Sequence, residues 1–311
     1  MADWIKRGLV FCPQQNRDWN QSHAQLPIVD PLSEQVWRIY YSCRDRANHS
    51  RFSYIEVQAG KPEHVLRIAE QPLLQLGDLG SFDESGQMCV SVVGQAGVKY
   101  LYYAGWSEKR HVPYHNAIGL AISHDDGVTF RKYAPGPLLD SRPFEPYFSG
   151  TACVRIENGV WRMWYQSCTR WQLIKDRPEP FYHIKYAESD DGIHWHREGR
   201  IAIDYKDSSE AGICSASILL EGQVYKMWYC FRQGEDYRHD RSRSYRIGYA
   251  ESNDGISWQR MDDQASIDVS ENGWDSEMLA YPNVISHRGR KYLFYNGNGF
   301  GRCGFGYAIQ E

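Results

Sequence analysis

The sequence of 311 residues has no run of eighteen apolar residues, so no membrane-spanning helix is expected. Its first twenty residues, MADWIKRGLVFCPQQNRDWN, hold no long apolar stretch ahead of a small-residue cleavage site. No secretory signal is expected there, and the expected location is cytoplasmic. None of the eight cysteines (12, 43, 89, 153, 168, 214, 230 and 303) forms a CxxC pair. That argues against a zinc or disulfide framework and for reduced, mostly buried thiols. A net charge of -4 supplies no basic field for nucleic acid. There is no Walker loop, and GNGFG at 297 lacks the strand–helix context of a phosphate cradle. A helical period of 3.6 is missing as well, which excludes a helical solenoid. No cofactor and no metal are expected.

Aromatic residues are abundant: 11 Trp, 22 Tyr and 11 Phe. Such side chains suit pleated, half-buried surfaces and shift the expectation towards an all-β chain. They also recur. WRIYYSC at 37, YLYYAGW at 100, WRMWYQS at 161, YKMWYCF at 225 and YLFYNGN at 292 share one pattern at intervals of 61–67 residues. FSYIEV, IGLAIS, IKYAES, IGYAES and FGYAIQ follow them in turn, and a shorter apolar segment precedes each. DDGVTF at 125, DDGIHW at 190 and NDGISW at 253 read as hairpin turns in which both central residues take positive φ. Each unit therefore reads as four antiparallel strands, and five units predict a single five-bladed β-propeller over residues 1–311. The last unit stops after its third strand. The N-terminal WIKRG resembles WHREG at 195, so Trp4 to Val10 are expected to supply the missing outer strand and close the ring.

In this reading strand alternation sends the short connections to one face. The other face receives the long loops between strands two and three, and the entrances to the inner strands. Binding groups sit on such loops. The long loops carry Arg44, Asp45, Arg46, Trp106, His115, Arg170, Arg232, Asn298 and Arg302. The entrances carry Asp83, Glu84, Glu145, Glu210, Asp275 and Glu277, which are expected to converge at the channel mouth. Turn-capping is the plainer role open to each of these acids. The planar fork of arginine suits carboxylate or phosphate, while the aromatic rings can stack on a sugar or wedge blades together. The HVPYH pair, His111 and His115, is interrupted by Pro113 and is not expected to bind zinc.

These repeated blocks, together with VPYHNAIGLAIS, EPYF and WDSEM, resemble the five-bladed propeller glycosidase superfamily. The group includes arabinanase and xylosidase, invertase and levansucrase, and mannoside phosphorylase types. More narrowly, the chain resembles uncharacterised glycosyl-hydrolase-like proteins of bacterial surface-glycan gene clusters. The resemblance implies carboxylate chemistry at the channel mouth. It puts Glu210 as the proton donor, Glu145 next, and Asp45 or Asp83 as the opposing carboxylate. Like-charge repulsion from Glu145 and Glu277 is expected to raise the pKa of Glu210. Substrate contacts are expected from Arg44, Arg46, Glu84, Trp106 and His115. Arg170, Arg232, Glu277, Asn298 and Arg302 are expected to add more. One departure stands out: the first inner strand opens with His23, where the family has an Asp. The expected ligand is a small carbohydrate, anionic or nucleotide-linked. The expected activity is hydrolysis, with phosphorolysis or binding without turnover as alternatives. Neither nucleic acid nor membrane is an expected partner, and the oligomeric state stays open.

Overall fold

The computed structural model describes residues 3–13 and 15–311. Five antiparallel blades follow one another along the chain. Blade one is Ser22–Pro31, Val36–Arg44, Ser50–Gln58 and Lys61–Ile68. Blade two is Gly86–Gln95, Val98–Glu108, Tyr114–Ser123 and Arg131–Lys132. Blade three is Ser149–Glu157, Val160–Ile174, Arg177–Ser189 and Ile201–Ile203. Blade four is Glu210–Glu221, Val224–Gln233, Arg246–Ser252 and Gln259–Arg260. Blade five is Ala280–His287, Arg290–Asn296 and Phe305–Gln310, completed by the N-terminal strand Ile5–Phe11. That strand pairs antiparallel with Phe305–Gln310, so the expected closure is present, one residue later than the sequence suggested.

The repeated aromatic strand explains the stacking of the blades. Side chains alternate across a strand, so neighbouring residues of one motif enter opposite interfaces. Tyr40 packs against blade two while Ile39 and Tyr41 pack against blade five. Tyr102 faces blade three and Tyr103 faces blade one; Trp164 faces blade four and Trp228 faces blade five. Each interface is thus filled by aromatic side chains from both of its blades. The turns are pinned across the same interfaces. Tyr102 donates to the carbonyl of Gly192 at 2.8 Å and Trp164 Nε1 donates to that of Gly255 at 2.8 Å.

Those turns differ from the two-residue hairpins read from the sequence. In the second and third of them the left-handed residue is the glycine alone, Gly192 (φ 74°) or Gly255 (φ 74°). The Asp is an acceptor instead: Asp191 Oδ1 takes the amides of Ile193 and His194, and Asp254 Oδ1 those of Ile256 and Ser257. Only in blade two, which carries one more residue, do Asp126 (φ 58°) and Gly127 (φ 78°) both go left-handed.

The inner strands form the axial ring. Adjacent members are tied by side chains: Val154 N to Ser91 Oγ (3.0 Å), Ser215 N to Thr151 Oγ1 (2.9 Å), Val284 N to Ser217 Oγ (2.7 Å) and Val29 N to Asn283 Oδ1 (3.0 Å). Each inner strand is bulged near its entrance. His23, Leu26, Ser215 and Tyr281 adopt positive φ there, an expensive conformation for side chains with a Cβ. Bulges re-aim side chains, and these turn them towards the axis.

Candidate functional site

A cavity of about 420 Å³ opens where the inner-strand entrances meet the long loops, on the face expected to carry the site. His23, Gln25, Met88, Thr151, Cys214 and Tyr281 come from the inner strands. Arg44 and Trp106 come from second strands, Tyr114 opens a third strand, and Arg238, Tyr245 and Phe300 come from the loops.

Two guanidinium groups line the cavity, and of these Arg238 is paired with Glu179 at 3.1 Å, which leaves Arg44 as the cation without an ion-paired carboxylate among the described residues. Its guanidinium lies 5.4 Å from the Trp106 ring centroid, and Nη1 donates to the Asn48 carbonyl at 3.2 Å. The indole Nε1 of Trp106 is anchored on Ser50 Oγ at 2.8 Å, which fixes the ring under the arginine. Among the described residues no carboxylate forms an ion pair with Arg44, Arg302 or the fully buried Arg232. Arg232 lies 3.9 Å from the Tyr237 ring centroid and donates to the Pro180 and Gln233 carbonyls. His23 registers this positive field. Burial first, then Arg44 and Arg302, push its imidazole down to about 4, so it is neutral near pH 7. Its Nδ1 lies 2.8 Å from Ser22 Oγ.

The rest of the wall mixes neutral polar groups with the apolar side chains of Leu26, Met88 and Phe300. Gln166 Oε1 accepts from Thr151 N at 3.1 Å and from Thr151 Oγ1 at 3.3 Å. Buried Gln25 has an Oε1 with no hydrogen-bond partner among the described residues. An unsatisfied buried acceptor of this kind is costly unless a ligand donor meets it. Glu108, on the rim, is the one carboxylate among the described lining residues.

The four expected catalytic acids are placed elsewhere. Glu210 is buried against Arg260, at 2.8 and 2.9 Å. Glu145 is buried among Tyr165 (2.9 Å), Lys185 (3.0 Å) and Arg197 (3.0 Å). Burial alone would raise its pKa, but these partners outweigh it and hold the carboxyl below its ordinary range. Asp83 meets Lys132 at 2.6 Å and Gln87 at 2.6 Å. Asp45 caps its own loop, accepting the amides of Ala47 and His49 at 2.9 Å each.

A repeat explains three of the four. In blades two to five an acid at or before the start of the inner strand meets a basic residue in or just ahead of the outer strand, two positions after an aromatic. These are Asp83 with Lys132, Glu145 with Arg197, Glu210 with Arg260 and Asp275 with Lys6. Tyrosines of the second strands join them, as with Tyr165 on Glu145 and Tyr295 on Asp275, both at 2.9 Å. The similar offsets of the acids thus belong to blade architecture.

Of the expected substrate contacts, Arg44 and Trp106 line the cavity. Arg302 reaches it through its charge on His23, and Arg232 lies behind the wall. Arg46 is exposed and pairs with Asp18, Glu84 accepts the Gly80 amide, and His115 bonds Asp140 at 2.6 Å. Arg170 stacks on Phe181 over a different groove. Asn298 braces the loop through the Glu277 amide, and Glu277 itself is exposed. The sequence reading did not single out Gln25, Gln166, Arg238 or Tyr281. The bulges that aim Gln25 and Tyr281 inward leave no sequence signal. The long loop of blade three is in fact an extended hairpin turning at Lys175 and Asp176. Among the described residues no group of three His, Cys, Asp or Glu could hold a metal.

Over 308 residues the chain is 36% identical to uncharacterized protein Rv1502 of Mycobacterium tuberculosis, covering 99% of each. The chain belongs to the family of this mycobacterial protein. No protein-family model matches it. Among solved structures, the complex of BT0996 with RGII superposes with a TM-score of 0.76 at 19% identity, over 100% of this chain and 92% of that one. A thermostable family-43 glycoside hydrolase gives 0.66 at 16% identity, over 94% and 91%. A Bombyx mori GH32 beta-fructofuranosidase in complex with sucrose gives 0.61 at 13% identity, over 93% and 61%. The fold is therefore that of the glycoside hydrolase propellers.

Proposed function

We propose that this protein binds an anionic carbohydrate in its axial cavity, and that binding rather than paired-carboxylate hydrolysis is its primary capability. One observation carries the reading: Arg44 lies over Trp106 at the cavity wall with no carboxylate partner among the described residues. The guanidinium offers a fork for a carboxylate or phosphate, and the aromatic rings beside it offer apolar faces for a sugar. Gln25 also lines the cavity, and its buried Oε1 has no hydrogen-bond partner among the described residues. A cavity of about 420 Å³ has the size of an ordinary small-molecule site. Solved propellers of the same fold include complexes with RGII and with sucrose by their names, which supports a sugar as the organic part. A sugar acid, a sugar phosphate or a nucleotide-linked sugar satisfies this chemistry.

Hydrolysis through a pair of carboxylates needs two acids flanking one bond. Glu210, Glu145 and Asp83 are engaged as counter-ions, and Glu108 stands alone at the rim among the described lining residues. A crystal structure with glucuronate tests the reading. The carboxylate should lie on Arg44 and the ring beside Trp106. A sugar bound on the opposite face, or one held in the cavity without contact to Arg44, would refute it.

A further inference from the structure

Cys214 and Cys230 face each other in blade four. They are direct cross-strand partners, and their sulfurs lie 3.5 Å apart. Opposed residues of antiparallel strands have Cα atoms about 4.5–5.5 Å apart, inside the span of about 4.4–6.8 Å that a disulfide bridges. Cys214 also lines the axial cavity, whereas Cys230 lies fully buried behind it. The inner strand is bulged between Cys214 and Ser217, with Ser215 at φ 58°.

We infer that Cys214 and Cys230 are an oxidisable thiol pair in the cavity wall, closed to a disulfide by a small peroxide. Cys214 is set apart from the chain's other buried cysteines, its partner Cys230 included, whose thiol burial pushes up. The hydrogen bond from Cys230, then Ser215 and Arg232, lowers the pKa of Cys214, whereas burial pushes Cys43 and Cys168 up to about 12. The thiolate is the reactive form, so attack begins at Cys214, the member that the cavity reaches. Its sulfur attacks the peroxide O–O bond and becomes a sulfenic acid, and hydroxide leaves. The Cys230 sulfur then attacks the sulfenic sulfur. The S–S bond forms, the sulfenic hydroxyl leaves and the Cys230 proton is released. Two thiols are oxidised and one hydrogen peroxide is reduced to two waters. This chemistry needs no sugar and stands apart from the binding proposed above.

The test uses the full chain with the exposed Cys12 and Cys303 replaced by Ser, treated with hydrogen peroxide. Intact mass should fall by two hydrogens, and peptide mapping should find the Cys214–Cys230 link. Cys214→Ser and, as a second variant, Cys230→Ala should each abolish the link. Recovery of both residues as free thiols after alkylation in denaturant would overturn the inference. So would accumulation of sulfinic acid on Cys214 without a cross-link, or a link between other cysteines. If the serine background does not fold, the same peptide map is made on the unaltered chain, where the Cys214–Cys230 peptide is read separately from any Cys12–Cys303 peptide.

Discussion

A guanidinium held over an indole, as Arg44 is, with no ion-paired carboxylate among the described residues differs in kind from one locked to a carboxylate, and the two behave differently on mutation. Glu210 belongs to the second class through Arg260. Glu210→Gln should leave sugar binding unchanged but destabilise the fold, because removing one partner of a buried pair costs about 3–5 kcal/mol. A thermal melt beside a binding titration checks this; a specific loss of turnover with an unchanged melt would restore Glu210 as a catalytic acid. His23 gives a pH signature. Its pKa is about 4 in the fold against an ordinary 6.5. Between those values the unfolded chain binds more protons, so stability falls as pH drops through that window. Buried His183, also shifted downward by burial, adds to the same slope. His23→Gln should flatten the melting temperature against pH between about 6.5 and about 4. An unchanged slope would show that the imidazole is not held neutral.

At the scale of elements, the aromatic strand was legible because its job is repetitive. Period-two alternation placed Tyr40 and Tyr41, or Trp164 and Tyr165, in opposite interfaces, and five copies of that pattern dictate five blades. The site was only half legible. Arg44 and Trp106 lie on regular strand ends and were found, whereas Gln25 and Tyr281 face the axis because of bulges that no residue type announces. The similar offsets of the acids in several blades coincide with a shared ion pair to a base in or just ahead of the outer strand, so their repetition alone does not mark a site. Lys6 makes that pair for the last blade, with Asp275. Lys6→Met should therefore cost about 3 kcal/mol, read as a lower midpoint in urea with an unchanged slope. No loss of stability would separate the ion-pair repeat from the folding of the blade.

For the whole molecule, closure rests on both ends of the chain. Ile5–Phe11 pairs with the C-terminal strand, Trp4 packs edge-on to Trp228 at 6.0 Å, and Asn296 ties blade five to the Leu26 amide at 2.9 Å. Deleting residues 1–11 should expose an unpaired edge and lower the melting temperature by several degrees, given about 2–4 °C per kcal/mol for a large domain. An unchanged melt would contradict closure by this strand. The ring also sets the binding chemistry, since it brings Arg44 of blade one and Gln166 of blade three to one cavity. Calorimetric titration of glucuronate and of glucose into the native protein and into Arg44→Ala tests this most directly. The predicted result is tighter binding of the acid than of the neutral sugar, with a loss of about 1.5–3 kcal/mol for the acid alone in the variant, the scale of a hydrogen bond to a charged group. Equal affinity for both sugars, or an acid affinity untouched by Arg44→Ala, would contradict an anionic carbohydrate site.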